Sequence, residues 1–273
     1  IAAIMPVDAA EDNWDNLQIV FATSSGGVRR NALSDFTNVR SNGKIAMKLP
    51  EGVSLVNARI CDKNMDFLLT TEMGKAIRFS VNDVRIFKGR DSTGVRGIKL
   101  APKDNVVSMA VIHHVDVTSE ERSAYFKMRR AITGDETGEN TETTSTLSQE
   151  RYAELSAMEE WILAITASGF GKRSSAHEYR VRGRGGQGIA AANLTRRDDK
   201  IVASFTVEEE DQIMLVTSAG QSIRCPVLGI SRQGRSSSGV KVFDTSDQEE
   251  VVSVAWIAEQ NQDEDEPDDK KEV

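Results

Sequence analysis

Aromatic residues make up only 5% of the 273 positions, proline occurs five times, and cysteine occurs twice, at Cys61 and Cys225. Scarce aromatics argue against single-strand nucleic-acid binding, which depends on stacking bases against exposed rings. The two cysteines lie far apart in strand-like stretches with no CxxC and no adjacent histidine pair, so they predict buried thiols rather than a disulfide framework or a zinc site. No apolar run is long enough to span a bilayer. The N-terminus also lacks the basic-then-apolar order of an export signal, which leaves the cytoplasm as the expected compartment. His113, His114 and His177 have no Ser, Cys or carboxylate partner that spacing can tie to them, so no catalytic centre and no metal site is expected. The glycines of 182–188 lack the strand-turn-helix setting and the GK[ST] that dinucleotide or P-loop binding requires.

Positive charge also looks scarce, because the formal net charge is −8. That sum hides its distribution. The stretch Glu259–Val273 carries a net of −6 and Val115–Glu160 another −6, leaving +4 on the remainder. With 39% hydrophobic residues the chain has enough apolar material for a sizeable core.

What the sequence does have is a repeat. Thr-x-x-Gly-x-x-x-Arg occurs four times, at Thr23/Gly26/Arg30, Thr71/Gly74/Arg78, Thr166/Gly169/Arg173 and Thr217/Gly220/Arg224. Each copy follows a β-branched apolar run (Gln18–Ala22, Phe67–Thr70, Trp161–Ile165, Gln212–Val216), so each predicts a hairpin turning on its glycine. A second glycine follows at 43, 94, 188 and 239, and then an apolar strand centre ending at Val56, Val107, Val202 and Val252. The starts are 48, 95 and 51 residues apart, so the long interval is one period plus an insertion at about 115–158. Repeats of this length, each made of several short strands, predict an all-β, propeller-like pinwheel of about four full blades. Ile1–Val7 matches a closing strand and predicts a remnant of a further blade. Residues 1–258 are expected to form this domain, and 259–273 a disordered acidic tail. In the insertion, Thr118-x-x-Glu121 and Thr146-x-x-Gln149 have capping-box spacing and predict helices over Glu120–Arg130 and Gln149–Met158, with Gly134–Ser145 disordered between them.

The second glycine lies in a basic loop in every repeat: Arg40 and Lys44 in the first, Lys88, Arg90 and Arg96 in the second, Arg180, Arg182 and Arg184 in the third, Arg232, Arg235 and Lys241 in the fourth. Glycine amides, Ser and Thr hydroxyls and Arg forks suit phosphate oxygens, and the loops contain no aromatic residue. A repeat array sets equivalent loops side by side. The expectation is a discontinuous basic belt that holds duplex DNA by its backbone without reading sequence. The hairpins add Arg29, Arg30, Lys75, Arg78, Lys172, Arg173 and Arg224. For the motif arginine itself two uses stay open, a phosphate or a strand carboxylate.

Trp14-Asp15-Asn16-Leu17 through Phe21-Ala22-Thr23, Gly27-Val28-Arg29-Arg30-Asn31, Asn42-Gly43-Lys44-Ile45-Ala46-Met47-Lys48-Leu49, Gly171-Lys172-Arg173 and Asp211-Gln212-Ile213-Met214 resemble the C-terminal domain of the A subunit of DNA gyrase, over nearly everything but the insertion and tail. The resemblance implies a β-pinwheel fragment lacking the first blade and most of the second. It also implies strands exchanged between neighbours and a basic rim that wraps DNA in support of ATP-dependent negative supercoiling. The catalytic Tyr, the ATP and Mg²⁺ sites, the rest of DNA gyrase A, and its partner DNA gyrase B would lie outside these residues. The family's Q-R-R-G-G-K-G box belongs to the blade absent here; Arg184, Gly185, Gly186 and Gly188 echo part of it. Two alternatives are the related C-terminal domain of the A subunit of topoisomerase IV, and a propeller that binds protein rather than DNA.

Overall fold

The computed structural model describes residues 4, 14–37, 43–134, 146–194, 198–245 and 249–257. Four antiparallel sheets follow one another along the chain. The first is built from β1 (Gln18–Thr23), β2 (Gly27–Ala32) and β3 (Leu55–Cys61), and the second from β4 (Met65–Thr71), β5 (Lys75–Ser80) and β7 (Val106–His113). The third takes β8 (Trp161–Thr166), β9 (Phe170–Ser175) and β11 (Ile201–Val207), and the fourth β12 (Gln212–Thr217), β13 (Ser222–Pro226) and β15 (Val251–Ile257). Val56, Val107, Val202 and Val252 each occupy the second position of a closing strand, which then runs on beyond them.

The threonine and glycine of the repeated motif both act in the hairpin turn. Gly26, Gly74, Gly169 and Gly220 have φ between 76° and 82°, the left-handed region open to glycine. The Thr23, Thr71, Thr166 and Thr217 hydroxyls each accept the amide four residues on, at 3.0 to 3.3 Å. That bond satisfies an amide the turn would otherwise leave without a partner.

The second glycine does something different from what the sequence suggests. Two-residue strands β6 (Val95–Arg96), β10 (Ile189–Ala190) and β14 (Val240–Lys241) immediately follow Gly94, Gly188 and Gly239, and each pairs with the hairpin of the preceding repeat, on β2, β5 and β9. A Cβ on these glycines would lie 2.3 Å from the Val28 carbonyl oxygen, 2.5 Å from that of Ala76 and 2.6 Å from that of Gly171. The close approach of one backbone to another requires glycine at these three positions. At Gly43, by contrast, nothing described lies within 4 Å.

Each of the first three sheets therefore runs from a closing strand at one edge, through the hairpin, to a strand donated by the next repeat at the other. Closing strands β3, β7, β11 and β15 neighbour one another, so the donated strands and their loops lie on the outer edge. Apolar clusters fill the spaces between successive sheets: Val20, Val28, Phe67 and Phe79 between the first two, Leu68, Ile112, Ile162 and Tyr179 between the next, and Leu163, Ile165, Ile213 and Val227 between the last. Strands buried on both faces explain the nearly continuous apolar runs.

Between β7 and β8 the insertion forms α1 (Ser119–Thr133) and α2 (Gln149–Ala157), packed through Tyr125, Phe126 and Leu155. Thr118 makes the expected capping box with Glu121, but the second helix is capped by Ser148, whose hydroxyl accepts the Arg151 amide, and not by Thr146. Gly134 closes α1 at φ 73°. Residues 135–145, the tail from 258, and Ile1–Val7 apart from residue 4 fall outside the described residues.

Candidate nucleic-acid interface

The eighteen basic residues singled out by sequence separate into an interior set and a surface set. Arg29, Arg30, Arg78, Lys172, Arg173 and Arg235 are all buried. Lys44, Lys75, Lys88, Arg96, Arg182, Arg184, Arg224 and Lys241 are exposed, Arg90, Arg180 and Arg232 are half-buried, and Arg40 lies outside the described residues.

The motif arginines of the second and third repeats join one repeat to the next. Arg78 Nε donates to the buried Asp66 carboxylate at 2.8 Å, while its other nitrogens donate to the carbonyls of Ala176, in the next repeat, and His113, both at 2.9 Å. Arg173 repeats the pattern, donating to Ile230 O at 2.6 Å and Leu228 O at 3.2 Å in the following repeat. Arg30 sits in the same register opposite Val20, buried, and reaches Gln18 at 3.4 Å. Arg224 holds the equivalent place in the fourth repeat but is exposed. The carboxylate alternative thus holds at Arg78, supplemented by carbonyls. A guanidinium whose donors are consumed in this way is not on offer to a phosphate.

One residue before the motif arginine, Arg29 and Lys172 point into the loop donated by the next repeat. Arg29 donates to the Gly89 and Ser92 carbonyls and, at 2.8 Å, to Asn31 Oδ1; its guanidinium lies 5.0 Å from the Phe87 ring centre. The Lys172 ammonium donates to the carbonyls of Gly234 at 3.1 Å, Ser237 at 2.7 Å and Arg235. Burial pushes Lys172 down to about 7, against Glu178, which favours its charge. Ile77 occupies this register in the second repeat, beneath Gly186. Loops at 88–93 and 234–237 therefore turn carbonyls inward onto a buried cation. This leaves Lys88 and Arg90 on the outer side of the first of them.

The loops form a connected series. Arg90 donates to Ile45 O at 3.1 Å, tying the second loop to the described segment that follows Gly43 in the first repeat. Arg184 donates to Asp83 O and Arg96 O at 2.9 and 3.0 Å, tying the third to the second. Arg235 donates to Ala190 O, and the Asn193 amide to Ser237 O at 3.1 Å, tying the fourth to the third. Within the belt Lys241 pairs with Asp244, and Arg232 pairs with Glu209 while lying 4.6 Å from the Trp161 ring centre, so both are partly neutralised. Sequence reasoning missed Arg85 and Lys99, which are exposed beside the second loop. Their signal was only their place just outside the loop's ends.

Repeated three- and four-stranded sheets with strands traded between neighbours define a propeller-like repeat protein with a basic outer edge. The family described as DNA gyrase C-terminal domain, beta-propeller, matches residues 18–62, 66–113, 160–208 and 211–255, and the chain belongs to it. Those boundaries follow the four sheets and leave out the insertion. The A subunit of the DNA gyrase of Granulibacter bethesdensis is 45% identical over 100% of this chain and 31% of that protein, and that of Rickettsia bellii 42% identical over 97% and 30%. The chain thus spans about a third of the length of these relatives. Among solved structures, a C-terminal domain of DNA topoisomerase IV aligns with TM-score 0.67 at 20% identity over 89% of this chain and 62% of its own. A DNA gyrase A C-terminal domain aligns at 0.63 and 22% over 89% and 67%; both likenesses concern the fold.

Proposed function

We propose that this chain binds duplex DNA along its outer edge, without sequence preference, and bends it, acting as the wrapping part of a DNA gyrase A protein in ATP-dependent negative supercoiling. The observation that carries the reading is the connected series of four rim loops with Lys44, Lys88, Arg96, Arg182 and Arg184 exposed on it. Cations spaced along a curved edge suit successive phosphates, and the few aromatic residues leave little for base stacking. The buried cations have a scaffolding role in this account, with Arg85 and Lys99 joining the rim set. Unit 1–258 is the wrapping module. Catalysis, ATP and Mg²⁺ belong to the rest of DNA gyrase A and to DNA gyrase B, in the bacterial cytoplasm. The gyrase assignment is favoured over topoisomerase IV because relatives at 42–45% identity carry the gyrase name, whereas the topoisomerase IV likeness is one of fold at 20%.

Binding to linear duplexes of increasing length, measured across a salt series, tests the reading. Affinity should rise with length and fall steeply with salt. A flat salt response, or equal affinity for short and long duplexes, would rule out a phosphate-tracking edge.

A further inference from the structure

We infer that the duplex is held on the second and third rim loops and parts from the edge before the fourth, so that the wrap ends at a fixed blade. The inference rests on the proposed DNA-binding edge and adds where along that edge the duplex is let go. The fourth loop follows the same backbone track as the two before it: Phe87 N donates to Arg30 O at 2.8 Å, Arg182 N to Arg78 O at 2.9 Å and Gln233 N to Arg173 O at 2.9 Å. What distinguishes the loops to an approaching duplex is therefore their side chains. In and beside the second and third loops Arg85, Lys88, Arg96, Lys99, Arg182 and Arg184 are exposed, and among the described residues no carboxylate pairs with any of the six.

The fourth loop spends its cations inside the protein. Arg232 pairs with Glu209 and lies 4.6 Å from the Trp161 ring centre. Arg235 is only 9% exposed and donates to the carbonyls of Glu178, at 3.2 Å, and Ala190. Lys241 pairs with the exposed Asp244. Glu209 also pairs with Arg173, at 3.4 Å, and its neighbours Glu208 and Glu210 are exposed on the same connection between β11 and β12. A cation that is already paired brings no net positive charge to a phosphate, so it adds little to counterion release. Taking Arg232 from Glu209 would exchange one anion for another and leave that carboxylate beside the duplex, where like charges repel. The second and third loops thus attract a chain of phosphates, and the fourth, bordered by Glu208, Glu210 and Asp244, turns it away. A duplex bent over the preceding blades leaves the edge at this boundary, because the fourth loop adds no attraction to offset the cost of further bending.

Tethered cleavage on the full chain tests the boundary. Cys61 is buried, and Cys225→Ser removes the half-buried second thiol. In that background one iron-chelate cleavage reagent is attached through Asp91→Cys in the second loop, Gln187→Cys in the third or Ser236→Cys in the fourth, all exposed positions that carry no cation. Scission of a bound linear duplex is expected from the first two tethers and at least tenfold less from Ser236→Cys. Comparable scission from all three would overturn the inference while leaving the DNA-binding edge standing. Scission from none of them would count against the edge itself, and the inference would fall with it. The salt slope of duplex binding gives a second measure: Lys88→Gln should lower it by about one and Lys241→Gln by less than about 0.3. A loss in Lys241→Gln as large as that in Lys88→Gln would overturn the boundary.

Discussion

Replacing Gly94 with alanine should destabilise the protein far more than the same change at Gly43, although both glycines close basic loops and both have φ near 80–90°. At Gly43 the added methyl meets nothing described within 4 Å, so the cost is that of holding an L-residue in the left-handed region, about 1–2 kcal/mol. At Gly94 the methyl lies 2.3 Å from Val28 O, 2.9 Å from its carbonyl carbon and 3.0 Å from Arg29 Cβ. Two of those atoms are backbone, which no rotamer change can move. Relief requires β6 to lift from β2, losing the Gly27–Arg96 and Val28–Val95 pairs at about 1 kcal/mol per hydrogen bond. Together these give about 3–5 kcal/mol for Gly94→Ala. Urea unfolding of both variants measures the difference, and hydrogen exchange at Val28 and Val95 locates it. Equal destabilisation of the two, or unchanged protection of those amides in Gly94→Ala, would refute strand exchange as the reason for the glycine.

Two further predictions concern the buried cations. Arg78→Ala leaves the Asp66 carboxylate, 0% exposed, with His114 as its ionic partner among the described residues, and should cost about 3–5 kcal/mol; a loss under 1 kcal/mol would contradict the inter-repeat latch. Lys172 is held down to about 7 in the folded state, from an ordinary value of 10.5. Below about 7 it is protonated in both states and the burial penalty is fully felt. Between 7 and 10.5 the unfolded chain holds more protons, so stability should climb with pH by at most ~1.4 kcal/mol per unit. Lys172→Met should abolish that climb. Identical pH profiles for the two proteins, from urea unfolding between pH 6.5 and 9.5, would show that Lys172 does not titrate there.

Much of the fold was legible because its signals are local. A threonine hydroxyl on the amide four residues on, and a left-handed glycine one step before it, leave a fixed imprint on sequence, and Thr118–Glu121 announces α1 for the same reason. Strand exchange leaves no such imprint: two residues such as Val95–Arg96 carry no periodicity, and their partner is some 70 residues away. The same gap explains the second glycines, whose shape is set by a neighbouring backbone. Among the basic residues, type and spacing do not separate Arg78 from Arg182. One is enclosed by Asp66 and the carbonyls of the next repeat and the other is left on the edge, which only tertiary packing decides. The inward-facing Arg29 and Lys172 were hidden in the same way, since each belongs to one repeat and serves the loop of the next.

The division between rim and interior cations is the central claim, and the salt slope of duplex binding tests it most directly. Each phosphate contact contributes about 0.9 to that slope. The triple variant Arg96→Gln, Arg182→Gln, Arg184→Gln should flatten it by about 2–3, whereas Lys172→Met, if folded, should leave it within about 0.5 of the parent. A slope untouched by the triple change, or flattened as much by the Lys172 variant, would contradict the assignment of the DNA-binding edge.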